Sequence, residues 1–127
     1  MPKQFINPPS IAPGRGYAHG VKVGNRIYVA GQIALDQEGK IVGEGDFAAQ
    51  VERVFQNVGA VLEAGGARFS DVVKMNSYLT RQSDFAQFRE LRRKFLGDHT
   101  PASTAVVVSA LAVPGLLLEV EVTAEIE

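Results

Sequence analysis

At 127 residues the chain fits one domain with a core that needs no disulfide or metal staple. Its 13 Lys and Arg against 14 Asp and Glu leave a formal net charge of −1, which argues against nucleic acid as a partner because no basic field is present to neutralise phosphates. The absence of cysteine removes disulfides, thiolate metal sites and a cysteine nucleophile.

Met1 to Pro13 carries Pro2, Pro8, Pro9 and Pro13 without a long apolar run. It reads as neither signal peptide nor membrane span, and a cytoplasmic protein is expected. Residues 17–23 and 26–30 flank Gly24 and Asn25, two residue types that tolerate positive φ, so a tight antiparallel hairpin is predicted. The period then changes: Phe47, Val51, Val54, Phe55, Val58, Val61 and Leu62 fall on one helical face. Asp46 is placed to cap that helix, and Gly65 with Gly66 to end it.

Residues 72–80 alternate Val73, Met75, Ser77 and Leu79 with Lys74, Asn76, Tyr78 and Thr80, the period of a half-buried strand. A second helix follows, capped by Ser83 or Asp84, striped by Phe85, Phe88, Leu91, Phe95 and Leu96, and stopped by Gly97. Two further strands, 102–108 and 116–126, are separated by a bend at Pro114 and Gly115. In the last, Leu118, Val120, Val122, Ala124 and Ile126 share one side while Glu119, Glu121, Thr123 and Glu125 share the other. That acidic row is either a solvated face or the wall of a polar cleft.

The order β-β-α-β-α-β-β predicts an α+β domain, with both helices as right-handed crossovers on one face of a mixed sheet. Stretches 104–108 and 116–118 are too apolar throughout to leave the other face in water. Another copy of the chain is the expected cover.

Several runs fall in a recognisable order: Tyr17 with His19 and Gly20; Val29, Ala30, Gly31 and Gln32; Asp84 and Phe85; Pro101 and Ala102; Glu119, Val120 and Glu121. In these runs, from about residue 17 to 124, the chain resembles the RidA/YjgF family of reactive-intermediate deaminases, also labelled endoribonuclease L-PSP. The resemblance implies a chorismate mutase-like fold over residues 1–127. It also implies a homotrimer whose sheets face inward as a barrel, three small-molecule clefts between subunits, and neither cofactor nor metal. Archetypal members hydrolyse enamines and imines such as 2-aminoacrylate to ammonia and a 2-keto acid. Their cleft uses a Tyr, the Gly of a Gly-Gln pair, an Arg directly after Pro-Ala and the first Glu of Glu-x-Glu.

Tyr17, Gly31 and Glu119 match that pattern, with Glu119 expected to position or activate water and Tyr17 and Gly31 to orient the substrate. The Arg does not match, because Ser103 follows Pro101 and Ala102. A hydroxyl does not replace a bidentate guanidinium on a carboxylate, so efficient 2-aminoacrylate deamination is not expected. Ser103 and Thr104 open a strand assigned to the cleft, but no Ser-His-Asp arrangement surrounds them. Arg92 falls inside the apolar arc of the second helix and Arg89 just beyond its edge. They either rebuild an anion site, which makes the substrate anionic, or form surface and intersubunit ion pairs. His19 and His99, the only histidines, lie on distant elements and suggest no metal site.

Three functions follow in order: hydrolysis or tautomerisation of a reactive enamine or imine; a non-catalytic, ligand-binding or regulatory trimer; and, last, a ribonuclease.

Overall fold

The computed structural model describes residues 1–127. The chain forms six strands: β1 (Lys3–Ile6), β2 (Gly20–Val23), β3 (Arg26–Gln32), β4 (Val72–Leu79), β5 (Ala102–Val107) and β6 (Leu118–Glu125), with buried and open residues alternating most regularly in β6. Two helices, α1 (Phe47–Ala64) and α2 (Phe85–Leu96), precede β4 and β5. The strands form one mixed sheet in the order β1-β2-β3-β6-β4-β5, in which only β4 and β5 run parallel. No helix is long and apolar enough to cross a membrane.

The α+β architecture expected from sequence is present, with three local differences. β1 was not anticipated among the prolines. It fits because Pro2 and Pro8 lie outside Lys3–Ile6 and the strand is an edge. β2 starts at Gly20 rather than at Tyr17, so Tyr17 and His19 do not alternate along a strand; they lie in a bend before it. A Cβ at residue 20 would come within 2.6 Å of Val61 Cγ1, so Gly20 is where the chain can pass close under α1. Finally, β6 starts at Leu118, with Leu116 buried in the approach to it.

The turns and caps show which polar groups the backbone recruits. In the hairpin only Gly24 takes positive φ (60°); Asn25 instead donates its side-chain amide to the Ile126 carbonyl at 2.9 Å. Asp46 caps α1 by accepting from Ala49 N at 3.1 Å, and Gly65 closes it. At α2, Asp84 holds the cap position, but Arg81 takes its carboxylate at 2.8 and 3.3 Å, leaving no side-chain cap. Gly97, at φ 59°, ends the helix.

Val51, Val54, Phe55, Val58, Val61 and Leu62 of α1 are buried in the core with Ile27, Val29, Met75, Leu79, Val120 and Val122 from the sheet. Each such side chain contributes about 1.5–3 kcal/mol through removal from water. α2 leans on α1 through aromatic rings: Phe95 stacks on Phe55 at 5.0 Å and Phe88 at 6.3 Å. The opposite face of the sheet carries no helix. Phe5, Tyr28 and Val106 stand exposed there; of the two stretches expected to make this face apolar, 104–108 contributes Val106, whereas Leu116 and Leu118 of 116–118 are buried in the core instead.

Candidate functional site

The acidic row of β6 divides into two carboxylates with different surroundings. Opposite β6, the β3 ladder is irregular between Val29 and Gln32, and Gly31 lies in that irregularity. The Glu119 side chain rests on Gly31: a Cβ there would lie 2.8 Å from Glu119 Cδ, 3.0 Å from Cγ, and would overlap Oε2. Glu119 is half-buried and has neither hydrogen-bond donor nor ion-pair partner within the chain. Burial first, and the Glu121 charge second, push its carboxyl above the usual range.

Glu121 is tied down instead. Its Oε1 accepts from the Tyr78 hydroxyl at 2.6 Å and from Asn76 Nδ2 at 3.3 Å. The register explains the geometry, since Asn76 lies across from Glu121 and Tyr78 across from Glu119, all facing away from the helices. The bond to Glu121 holds the Tyr78 phenol above its ordinary value, because the hydroxyl is worth more there as a donor. Tyr78, Leu111, Glu119 and Glu121 line an open cavity of about 280 Å³.

Tyr17 lines a second cavity, a small cleft that it shares with His19, Gly31 and Gln32 and not with Glu119. Its ring is edge-on to His19 at 5.5 Å and half exposed. His19 is buried: Nε2 donates to the Ala12 carbonyl at 2.6 Å, and Nδ1 accepts from Gln32 Nε2 at 3.1 Å. Both ring nitrogens are used, so His19 supports Tyr17 and offers no free site.

The cationic residues gather elsewhere. Arg89, Arg92, Arg93, His99, Pro101 and Ser103 line a cavity of about 410 Å³ between α2 and the start of β5. Arg92 lies over the Phe88 ring at 5.5 Å, and burial followed by the Arg89 charge lowers its pKa. None of these arginines makes an ion pair within the chain. His99 Nε2 is bonded to the Val72 carbonyl at 2.6 Å.

The expected residues therefore fall into two groups. Gly31 touches Glu119 and shares a small cleft with Tyr17; Arg89, Arg92 and Ser103 share another cavity. Ser103 pairs with Met75 on the helix side of the sheet, whereas Glu119 pairs with Tyr78 on the uncovered side. Thr104 pairs with Asn76 and so faces away from Ser103. No cluster of His, Cys, Asp and Glu is arranged to hold a metal. The Glu121 anchor formed by Tyr78 and Asn76 is not legible in the sequence, because strand spacing gives the face of a side chain but not its diagonal partner.

The family model described as endoribonuclease L-PSP matches residues 8–126. A RutC family protein of Pyrococcus abyssi is 43% identical over 108 residues, covering 85% of this chain and 84% of its own. A 2-iminobutanoate/2-iminopropanoate deaminase of Dermatophagoides farinae is 33% identical over 87% of each chain. The crystal structure of RidA from the Antarctic bacterium Psychrobacter superposes with a TM-score of 0.90 at 38% identity, covering 97% of this chain and 99% of that one.

Proposed function

The chain belongs to the RidA/YjgF family, and from that membership we propose that it hydrolyses or tautomerises a reactive, anionic enamine or imine in clefts shared between subunits of a homotrimer. The observation that carries the proposal is Glu119: a half-buried carboxylate seated on Gly31 with no partner of its own. A carboxylate in that state is available to a substrate or a water, unlike Glu121, whose Oε1 is held by two donors. The name of the mite relative, an imine deaminase, supports the same chemistry.

In the proposed step, Glu119 takes a proton from water as the oxygen bonds to the imine carbon. Glu119 returns that proton to nitrogen, and the proton of the new hydroxyl follows by the same carboxylate as the C–N bond breaks, so nitrogen leaves as ammonia and a keto group remains. An enamine first moves a proton from nitrogen to carbon, which Glu119 relays. Tyr17 and the Gly31 backbone orient the substrate, so that the reacting atoms meet without a search.

The two groups of site residues support a shared cleft. Within one chain the sheet separates Ser103 and its arginines from Glu119. A second copy covering the exposed Phe5, Tyr28 and Val106 removes apolar surface from water and brings a foreign β5 edge to Glu119. In that arrangement Arg89 and Arg92 supply the cation that Ser103 does not.

Ammonia release from a panel of imino acids, generated in situ by an amino-acid oxidase, tests the proposal. Turnover by the wild type that falls at least about a hundredfold in Glu119→Gln is expected. Saturable carboxylate binding with no turnover of any member would favour the non-catalytic trimer, the reading that Ser103 encourages.

A further inference from the structure

Arg89 and Arg92 stand three residues apart on α2, a spacing that puts their side chains on one face. Like charges so placed ordinarily destabilise a helix. Here both line the cavity beside Ser103, and Arg92 is drawn into the half-buried layer over Phe88. Nothing within the chain compensates them. Glu90 and Asp98 border the same cavity, yet both are exposed and neither comes within ion-pair distance of an arginine. Arg93 adds a third guanidinium to the lining.

One substrate carboxylate satisfies one guanidinium bidentately and leaves the other unmatched. The space is also larger than a three-carbon acid requires: about 410 Å³, with Met75 and Leu96 as apolar lining and only the short Ser103 side chain at the strand. We infer that the substrate is a dicarboxylate, an imino or enamino diacid whose two acidic groups engage Arg89 and Arg92 separately across a short carbon chain. This rests on the proposed cleft and deepens it. Ser103 then widens the site for a second acidic arm, while the positive charge that a single Arg would supply at that position is delivered twice from α2.

The test uses stable keto acids as probes of the intact protein. Titration calorimetry at low salt compares 2-oxoglutarate with 2-oxobutanoate, which shares the keto acid but lacks the second carboxylate. The wild type is expected to bind the diacid at least about tenfold more tightly. Arg89→Met should bring that ratio close to one by weakening the diacid more than the mono-acid, because Met keeps the apolar stem and removes only the guanidinium. Equal affinities in the wild type, or a diacid preference that survives both Arg89→Met and Arg92→Met, overturn the dicarboxylate inference and leave the cleft proposal standing. Binding of neither probe by the wild type overturns the cleft's anion site and the inference together.

Discussion

Replacing Gly31 with alanine should separate catalysis from stability. Gly31 has no positive φ, so the backbone accepts a Cβ without conformational strain. The obstacle is the Glu119 side chain, with Cδ at 2.8 Å and Cγ at 3.0 Å from where the new methyl would sit, and Oε2 overlapping it. The carboxylate must retreat by roughly 1 Å or more to regain ordinary contact. A misplacement of about 1 Å in a catalytic group costs on the order of a hundredfold in rate. Glu119 is the flexible end of a side chain with no hydrogen bond to lose, so the fold should lose less than about 1 kcal/mol. Ammonia release on the best substrate of the imine panel, paired with urea unfolding, measures both. An alanine variant that keeps more than half the wild-type kcat/KM would refute the claim that Gly31 seats the working position of Glu119. A variant that unfolds would show that Gly31 is a packing residue instead.

Gln50 is buried and joins α1 to two loops, donating to the Gly43 and Gly115 carbonyls at 3.1 and 3.0 Å and accepting from Leu117 N at 2.8 Å. Gln50→Leu keeps the volume but orphans three backbone groups, so urea unfolding should show a loss of about 3 kcal/mol; a loss below 1 kcal/mol would mean water replaces the amide. Because the Glu119 carboxyl is raised, its ionised form is reached only above the usual carboxylate range, and kcat/KM should climb with pH along a limb displaced upward. Glu121→Gln removes the smaller of the two causes, so that limb should move down without reaching the ordinary position; an unmoved limb would assign it to another group. The same raised value means that wild-type stability declines as pH rises from the unfolded to the folded pKa of Glu119, and Glu119→Gln should flatten that slope. Ser103→Arg should raise 2-aminoacrylate hydrolysis, measured as pyruvate formed in a coupled dehydratase assay; an unchanged or lower rate would show that the three native arginines already crowd the position.

The sequence carried most of the architecture because the buried stripes are long and regular. The α1 face from Phe47 to Leu62 and the alternation of β6 both leave little room for another period. β1 was illegible because four residues flanked by prolines show no periodicity, and the pairing Lys3–Val23 to Ile6–Gly20 that makes them a strand is non-local. The contact of Gly31 with Glu119 joins residues far apart in sequence, and only the glycine within a strand hinted at a close approach there. Helical spacing puts Arg92 inside the apolar arc and Arg89 just beyond its edge. Whether they face an acid depended on tertiary neighbours, and Glu90 and Asp98 turned out to leave them unpaired.

The division of the site between two copies can be tested by mixing inactive subunits. Glu119→Gln and a double Arg89→Met, Arg92→Met variant are each made, unfolded together in equal amounts and refolded, with light scattering checking for three times the 13.7 kDa chain mass. If each cleft takes Glu119 from one subunit and the arginines from the next, random assembly leaves about a quarter of clefts with both sets intact, and about that fraction of wild-type ammonia release should return. If the mixed particles are trimers and stay as inactive as either parent, Glu119 and the arginines do not meet across a subunit boundary, and the shared-cleft account is wrong.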